Sequence, residues 1–99
     1  MIVVTGRVVV KDGALNGLLP AMKTMVAASR DESGCLEYAY GPDLGDPNAF
    51  LVLEKWESWA ALDAHFETPH LKAWRAALTG AGLVSRNLVA AEAETMKAV

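Results

Sequence analysis

The chain has 99 residues, 53% of them hydrophobic and 21% charged, and carries a formal net charge of −3. This length suits one domain, the apolar content excludes a disordered chain, and nine Lys and Arg scattered among twelve acids form no basic stripe that would track nucleic acid. A chain this short buries only about 60–65% of its unfolded surface by itself, so a mean hydropathy of +0.21 predicts that a second copy covers part of it.

Ile2 to Val10 is β-branched apart from Gly6 and Arg7, is apolar on both faces and is closed by Lys11-Asp12-Gly13. It reads as a strand buried on both sides. It lacks the basic n-region and cleavage site of a signal peptide, and no apolar run reaches the roughly 18 residues of a membrane-spanning helix. Cys35 has no cysteine to pair with, so a soluble, cytoplasmic chain without a membrane partner is expected.

From Ala14 the period changes. Leu15, Leu18, Leu19, Met22, Met25, Val26 and Ser29 fall at helical spacing. Gly17 and Pro20 weaken the first turns, and Asp31-Glu32-Ser33-Gly34 ends the helix. Cys35 to Tyr40 reads as a second strand with Leu36, Tyr38 and Tyr40 on one face, before breakers from Gly41 to Asn48. Ala49 to Glu57 follows as a third strand, with Phe50, Val52, Glu54 and Trp56 on one face and Leu51, Leu53 and Lys55 on the other. Ser58 caps a short helix, Trp59 to Glu67, and Thr68-Pro69 opens another that runs to Gly80-Ala81-Gly82. Leu83 to Ala91 reads as a fourth strand.

The order β-α-β-β-α(α)-β predicts an α+β, ferredoxin-like sheet with helices on one face. The open face is expected to meet the same face of an identical subunit, giving a homodimer.

Both histidines and all three tryptophans lie between Glu54 and Trp74. His65, beside Leu62 and Phe66, reads either as a general base kept neutral by an apolar pocket or as a histidine that only packs. His70 begins the Thr68-capped helix, where the helix dipole favours a neutral ring, and with Trp74 four residues on it could bracket a planar ligand or simply stack. Glu54 stands on an apolar face, ready to orient a histidine or bind a polar substrate group, or else to pair with Arg7 or Arg86. Tyr38 and Tyr40 offer phenolic hydroxyls or core packing. His65 and His70 are five apart with Pro69 between them, whereas a helical zinc pair wants i, i+4. A metal held by these two with Glu67 or Glu54 is therefore disfavoured. No Gly-rich phosphate loop, G-x-S-x-G elbow or C-x-x-C occurs. Cys35 shows no sign of activation.

The stretches E-S-G-C-L-E-Y (32–38) and L-E-K-W-E-S-x-x-A-L-x-A-H-F-E-T-P-H-L-K-A-W (53–74) resemble the antibiotic biosynthesis monooxygenase family, particularly its quinol monooxygenase-like members. The resemblance implies a dimeric ferredoxin-like α+β barrel that oxygenates phenolic or hydroquinone substrates with no flavin, haem or metal. His65 matches the family's histidine and is implied as base or hydrogen-bond partner to the substrate oxygen. Trp56, Tyr38, Phe66 and Trp74 would line the cavity, and His70 matches the T-P-H turn. Haem-degrading relatives resemble a different pattern, since the first strand here has no Asn, His65 stands at the helical Trp position and Arg75 falls near the ligand position.

The expected activity is therefore a cofactor-independent monooxygenase taking molecular oxygen and a small phenolic, hydroquinone or anthrone-type aromatic to a quinone. A non-catalytic aromatic-binding dimer, or an isomerase or ring-cleaving enzyme on the same scaffold, are the alternatives.

Overall fold

Three helices lie over one face of a four-stranded antiparallel sheet of order β2-β3-β1-β4. The computed structural model describes residues 1–99. In chain order they form β1 (Ile2–Val10), α1 (Leu15–Arg30), β2 (Cys35–Pro42), β3 (Ala49–Trp56), α2 (Trp59–Phe66), α3 (Pro69–Ala81) and β4 (Leu83–Glu92). This is the predicted ferredoxin-like order, with β1 and β3 at the centre.

Alternation along the two central strands sets the core. Ile2, Val4, Val8 and Val10 of β1 and Phe50, Val52 and Trp56 of β3 are buried beneath Leu18, Met22 and Met25 of α1 and Leu71, Trp74 and Leu78 of α3. The other face of β1 is not buried as the sequence predicts. Val3 and Val9 are half-buried there and Thr5 and Arg7 are exposed, because all three helices use the opposite face. Leu51 and Leu53 of β3 share this open face at 46% and 37% exposure. Ion pairs interrupt it, with Arg7 bonding Asp43 and Asp46 at 2.8 Å each and Lys55 bonding Glu37 at 3.1 Å.

A register shift corrects the expected face of β2. Cys35 lies opposite Trp56 while Glu37 lies opposite Lys55, so Leu36 is the extra residue of a bulge. Leu36 is exposed, and Cys35 takes its place against the core beside Tyr38 and Tyr40.

Two glycines permit approaches that a side chain would block. Gly6 has φ +156°, and a Cβ there would fall 1.9 Å from the Asn87 carbonyl oxygen on β4. Gly34 has φ +85°, and its Cβ would meet that of Ala61 at 2.7 Å, so glycine lets the exit loop of α1 close onto α2. The Glu57 amide fastens that loop by donating to the Gly34 carbonyl at 2.9 Å.

Candidate active site

The α2–α3 corner delivers both histidines. Ser58 starts α2 by accepting from the Ala61 amide at 3.1 Å. One helix later, the Thr68 hydroxyl donates to the His65 carbonyl at 2.7 Å and accepts from the Leu71 amide at 3.4 Å. Thr68 thereby ends one helix and caps the next, with Pro69 opening α3 and His70 behind it. His65 is 1% exposed and packs against Trp56, their ring centroids 4.6 Å apart.

Glu32, in the exit loop of α1, organises both rings. Its Oε2 lies 2.5 Å from His65 Nδ1 and 2.7 Å from His70 Nε2. Only a ring N–H can donate to this carboxylate, which assigns the His65 proton to Nδ1 and leaves a lone pair on Nε2. That lone pair lies 3.3 Å from the Tyr38 hydroxyl, which is 3.1 Å from the Tyr40 hydroxyl. Burial pushes the Tyr38 phenol well above its ordinary range and Tyr40 up to about 12. Both hydroxyls therefore keep their protons at neutral pH, Tyr38 donating to Nε2 and Tyr40 to Tyr38.

The same burial lowers the His65 pKa, and the Glu32 hydrogen bond opposes that shift without cancelling it. Burial raises the Glu54 carboxyl above its usual range, countered by the hydrogen bond from Trp56. Trp56 Nε1 donates to Glu54 Oε1 at 2.9 Å.

A cavity of about 240 Å³ opens between the helices and the sheet. Tyr38, Tyr40, Glu54, His65, Phe66 and Trp74, all singled out from the sequence, stand on its wall with Arg75 and Arg86. Two predicted wall residues are placed elsewhere. Trp56 is wholly buried behind His65 and shapes the wall through His65 and Glu54. His70 does not line this cavity; its ring bonds Glu32, and it shares with Trp74 a separate groove between α1 and α3. The alternative of Glu54 pairing with Arg7 also fails, because Arg7 is on the open face of the sheet bonded to Asp43 and Asp46.

Glu32 is the residue that sequence reasoning missed, although it is the first letter of E-S-G-C-L-E-Y. Its Oε2, His65 Nδ1 and His70 Nε2 lie within 4.8 Å of one another, a donor set that suits a divalent transition ion. Neither of the carboxylates that the sequence places near the histidines joins them. Glu67 pairs with Lys72 at 3.3 Å, and Glu54 is held by Trp56.

These features define a class, a ferredoxin-like α+β domain with an aromatic-walled cavity between its helices and sheet. The chain belongs to the antibiotic biosynthesis monooxygenase family, whose pattern it matches over residues 1–77. It is 39% identical over 69 residues to an uncharacterised protein of Synechocystis, a match covering 70% of this chain and 47% of the relative. It is also 39% identical over 57 residues to the Escherichia coli protein named "Probable quinol monooxygenase YgiN", covering 50% of this chain and 55% of that one. The chain thus spans about half the length of these curated relatives. Among solved structures, one from Deinococcus radiodurans assigned to the same family superposes with a TM-score of 0.91 at 25% identity, covering 100% of this chain and 98% of that one. No helix is long and apolar enough to cross a membrane.

Proposed function

We propose that this chain is a cofactor-independent monooxygenase that converts a small phenolic, hydroquinone or anthrone-type aromatic to a quinone. The observation that carries this reading is the chain of hydrogen bonds from Glu32 through His65 to Tyr38, which ends on the wall of an aromatic cavity. Family membership and the name of the E. coli relative support the same chemistry.

The substrate ring stacks among Tyr40, Phe66 and Trp74 in a cavity large enough for a compact aromatic. His65 Nε2 takes a proton from the substrate, reached through the Tyr38 hydroxyl, while Glu32 holds the opposite ring edge and stabilises the imidazolium as it forms. The deprotonated substrate then gives an electron to molecular oxygen, which reacts slowly with closed-shell molecules but readily with an electron-rich anion. For an anthrone-type carbon, one oxygen atom becomes the new carbonyl and the other leaves as water with the two hydrogens of the original methylene. His65 returns its proton in forming that water.

The open face of the sheet, with Leu51, Leu53 and Val89 exposed on it, supports pairing with the same face of a second copy. Light scattering then reads twice the chain mass, and a monomer mass contradicts the pairing.

Oxygen uptake with a panel of anthrones, naphthols and hydroquinones tests the activity. Turnover that falls about 10²–10⁴-fold in His65→Ala agrees with the proposal. Equal rates remove His65 from the chemistry, and tight binding without oxygen uptake replaces the enzyme with a binding protein.

A further inference from the structure

We infer that Glu32, His65 and His70 form a binding site for a divalent transition-metal ion of the zinc class, and that the ion competes with the hydrogen bonds these side chains make to one another. Three observations converge on it. The chain has only two histidines, and the α2–α3 corner turns both toward one carboxylate oxygen. The donors are two imidazole nitrogens and one carboxylate, a set such ions take with a further position left for water. The cluster also has a path to solvent, because the side chains of His70 and Glu32 are 22% and 13% exposed while His65 is 1% exposed.

Ligands about 2.0–2.1 Å from a tetrahedral ion stand roughly 3.3 Å apart. The three donor atoms already lie within 4.8 Å of one another, and Glu32 Oε2, now 2.5 Å and 2.7 Å from the two nitrogens, must withdraw to admit the ion. Glu32 can do so because it lies in the loop Asp31–Gly34 rather than in the body of α1. The backbone on either side stays fastened, with the Cys35 amide donating to the Glu32 carbonyl at 3.1 Å.

Ligation also changes the tautomer of His65. A metal on Nδ1 requires the lone pair there, so the ring proton moves to Nε2 and points toward the Tyr38 hydroxyl. His65 then donates where it accepted, and it can no longer take a substrate proton at that atom. The site itself is independent of the oxygenation proposed above. Only this second consequence, inhibition by the ion, rests on that reading.

The test is calorimetric titration of the chelator-treated full chain with Zn2+, repeated with Co2+ to follow its visible absorption. Wild type binds one ion per chain, and Glu32→Gln and His70→Gln each lose more than the 10- to 100-fold in affinity typical of changes outside the ligand set. Circular dichroism confirms that both variants are folded, and His70→Gln alters a partly exposed side chain that the core does not require. Binding no tighter than millimolar in wild type, or unchanged affinity in both folded variants, overturns the site. Zinc binding without loss of oxygen uptake leaves the site standing and overturns the inhibition. Absence of any oxygen uptake bears on the proposed reaction alone, since affinity and stoichiometry are read without turnover.

Discussion

His65 and Glu32 are 33 residues apart in the chain and 2.5 Å apart in the fold. One comes from the last turn of α2 and the other from the loop that leaves α1, and Gly34 lets those segments touch. The contact fixes which ring nitrogen of His65 carries the proton, and so which one faces Tyr38.

Glu32→Gln removes the negative charge but keeps a carbonyl oxygen that can accept from the ring. Glu32 raises the His65 pKa against the stronger effect of burial, so its loss drives that pKa lower still. In the proposed oxygenation the acid limb of the pH–rate profile moves to lower pH, and the plateau rate falls because the imidazolium formed there has lost its counter-charge. A stopped-flow oxygen assay across pH 5–8 reads both effects.

Tyr38→Phe deletes the hydroxyl between His65 and Tyr40. The ring still packs edge-on to Trp56 at 6.1 Å, so the stability cost is limited to about 1 kcal/mol for the lost hydrogen bonds. If the hydroxyl relays the proton in the proposed reaction, kcat drops by about 10² while KM changes little. Chemical denaturation and steady-state kinetics on one preparation separate the two.

Glu54→Gln stabilises the protein at pH 7. Burial raises the folded Glu54 pKa, so the folded state holds this proton more tightly than the unfolded chain. The stability linked to that proton is full below the ordinary carboxyl range and is lost as pH rises through the folded value. A neutral amide avoids the loss and still accepts from Trp56 Nε1. The gain is on the order of 1 kcal/mol, seen as a higher melting temperature at pH 7 that converges with wild type near pH 4.

The His65 shift has the opposite sign. Its folded pKa is lowered, so the contribution is complete above the ordinary histidine value of about 6.5 and is lost as pH falls through the folded value. Melting temperature therefore declines below neutrality. In His65→Gln the decline is shallower, as scanning calorimetry at closely spaced pH values shows.

The fold was legible because its signals are local. Alternation in Ile2–Val10 and Ala49–Trp56, the spacing of Leu18, Met22 and Met25, and the caps Ser58 and Thr68 each act within a few residues. The bulge at Leu36 was not legible, since strict alternation is what a bulge interrupts. At the site, the apolar neighbours of His65 mark it for burial, the strand face carries Tyr38, and the family resemblance points to Phe66 and Trp74. Glu32 escaped notice because its partners come from a distant corner of the chain. The same contact explains His70, which keeps Trp74 as its helical neighbour while the Glu32 carboxylate, in the loop leaving α1, holds its ring.

The most direct test of the account is nitrogen-15 NMR of the imidazole rings in the metal-free protein at pH 7, where two histidines make assignment simple. The account predicts that His65 is neutral, with its proton on Nδ1 and an unprotonated Nε2. A His65 protonated on Nε2, or present as imidazolium at that pH, would contradict it.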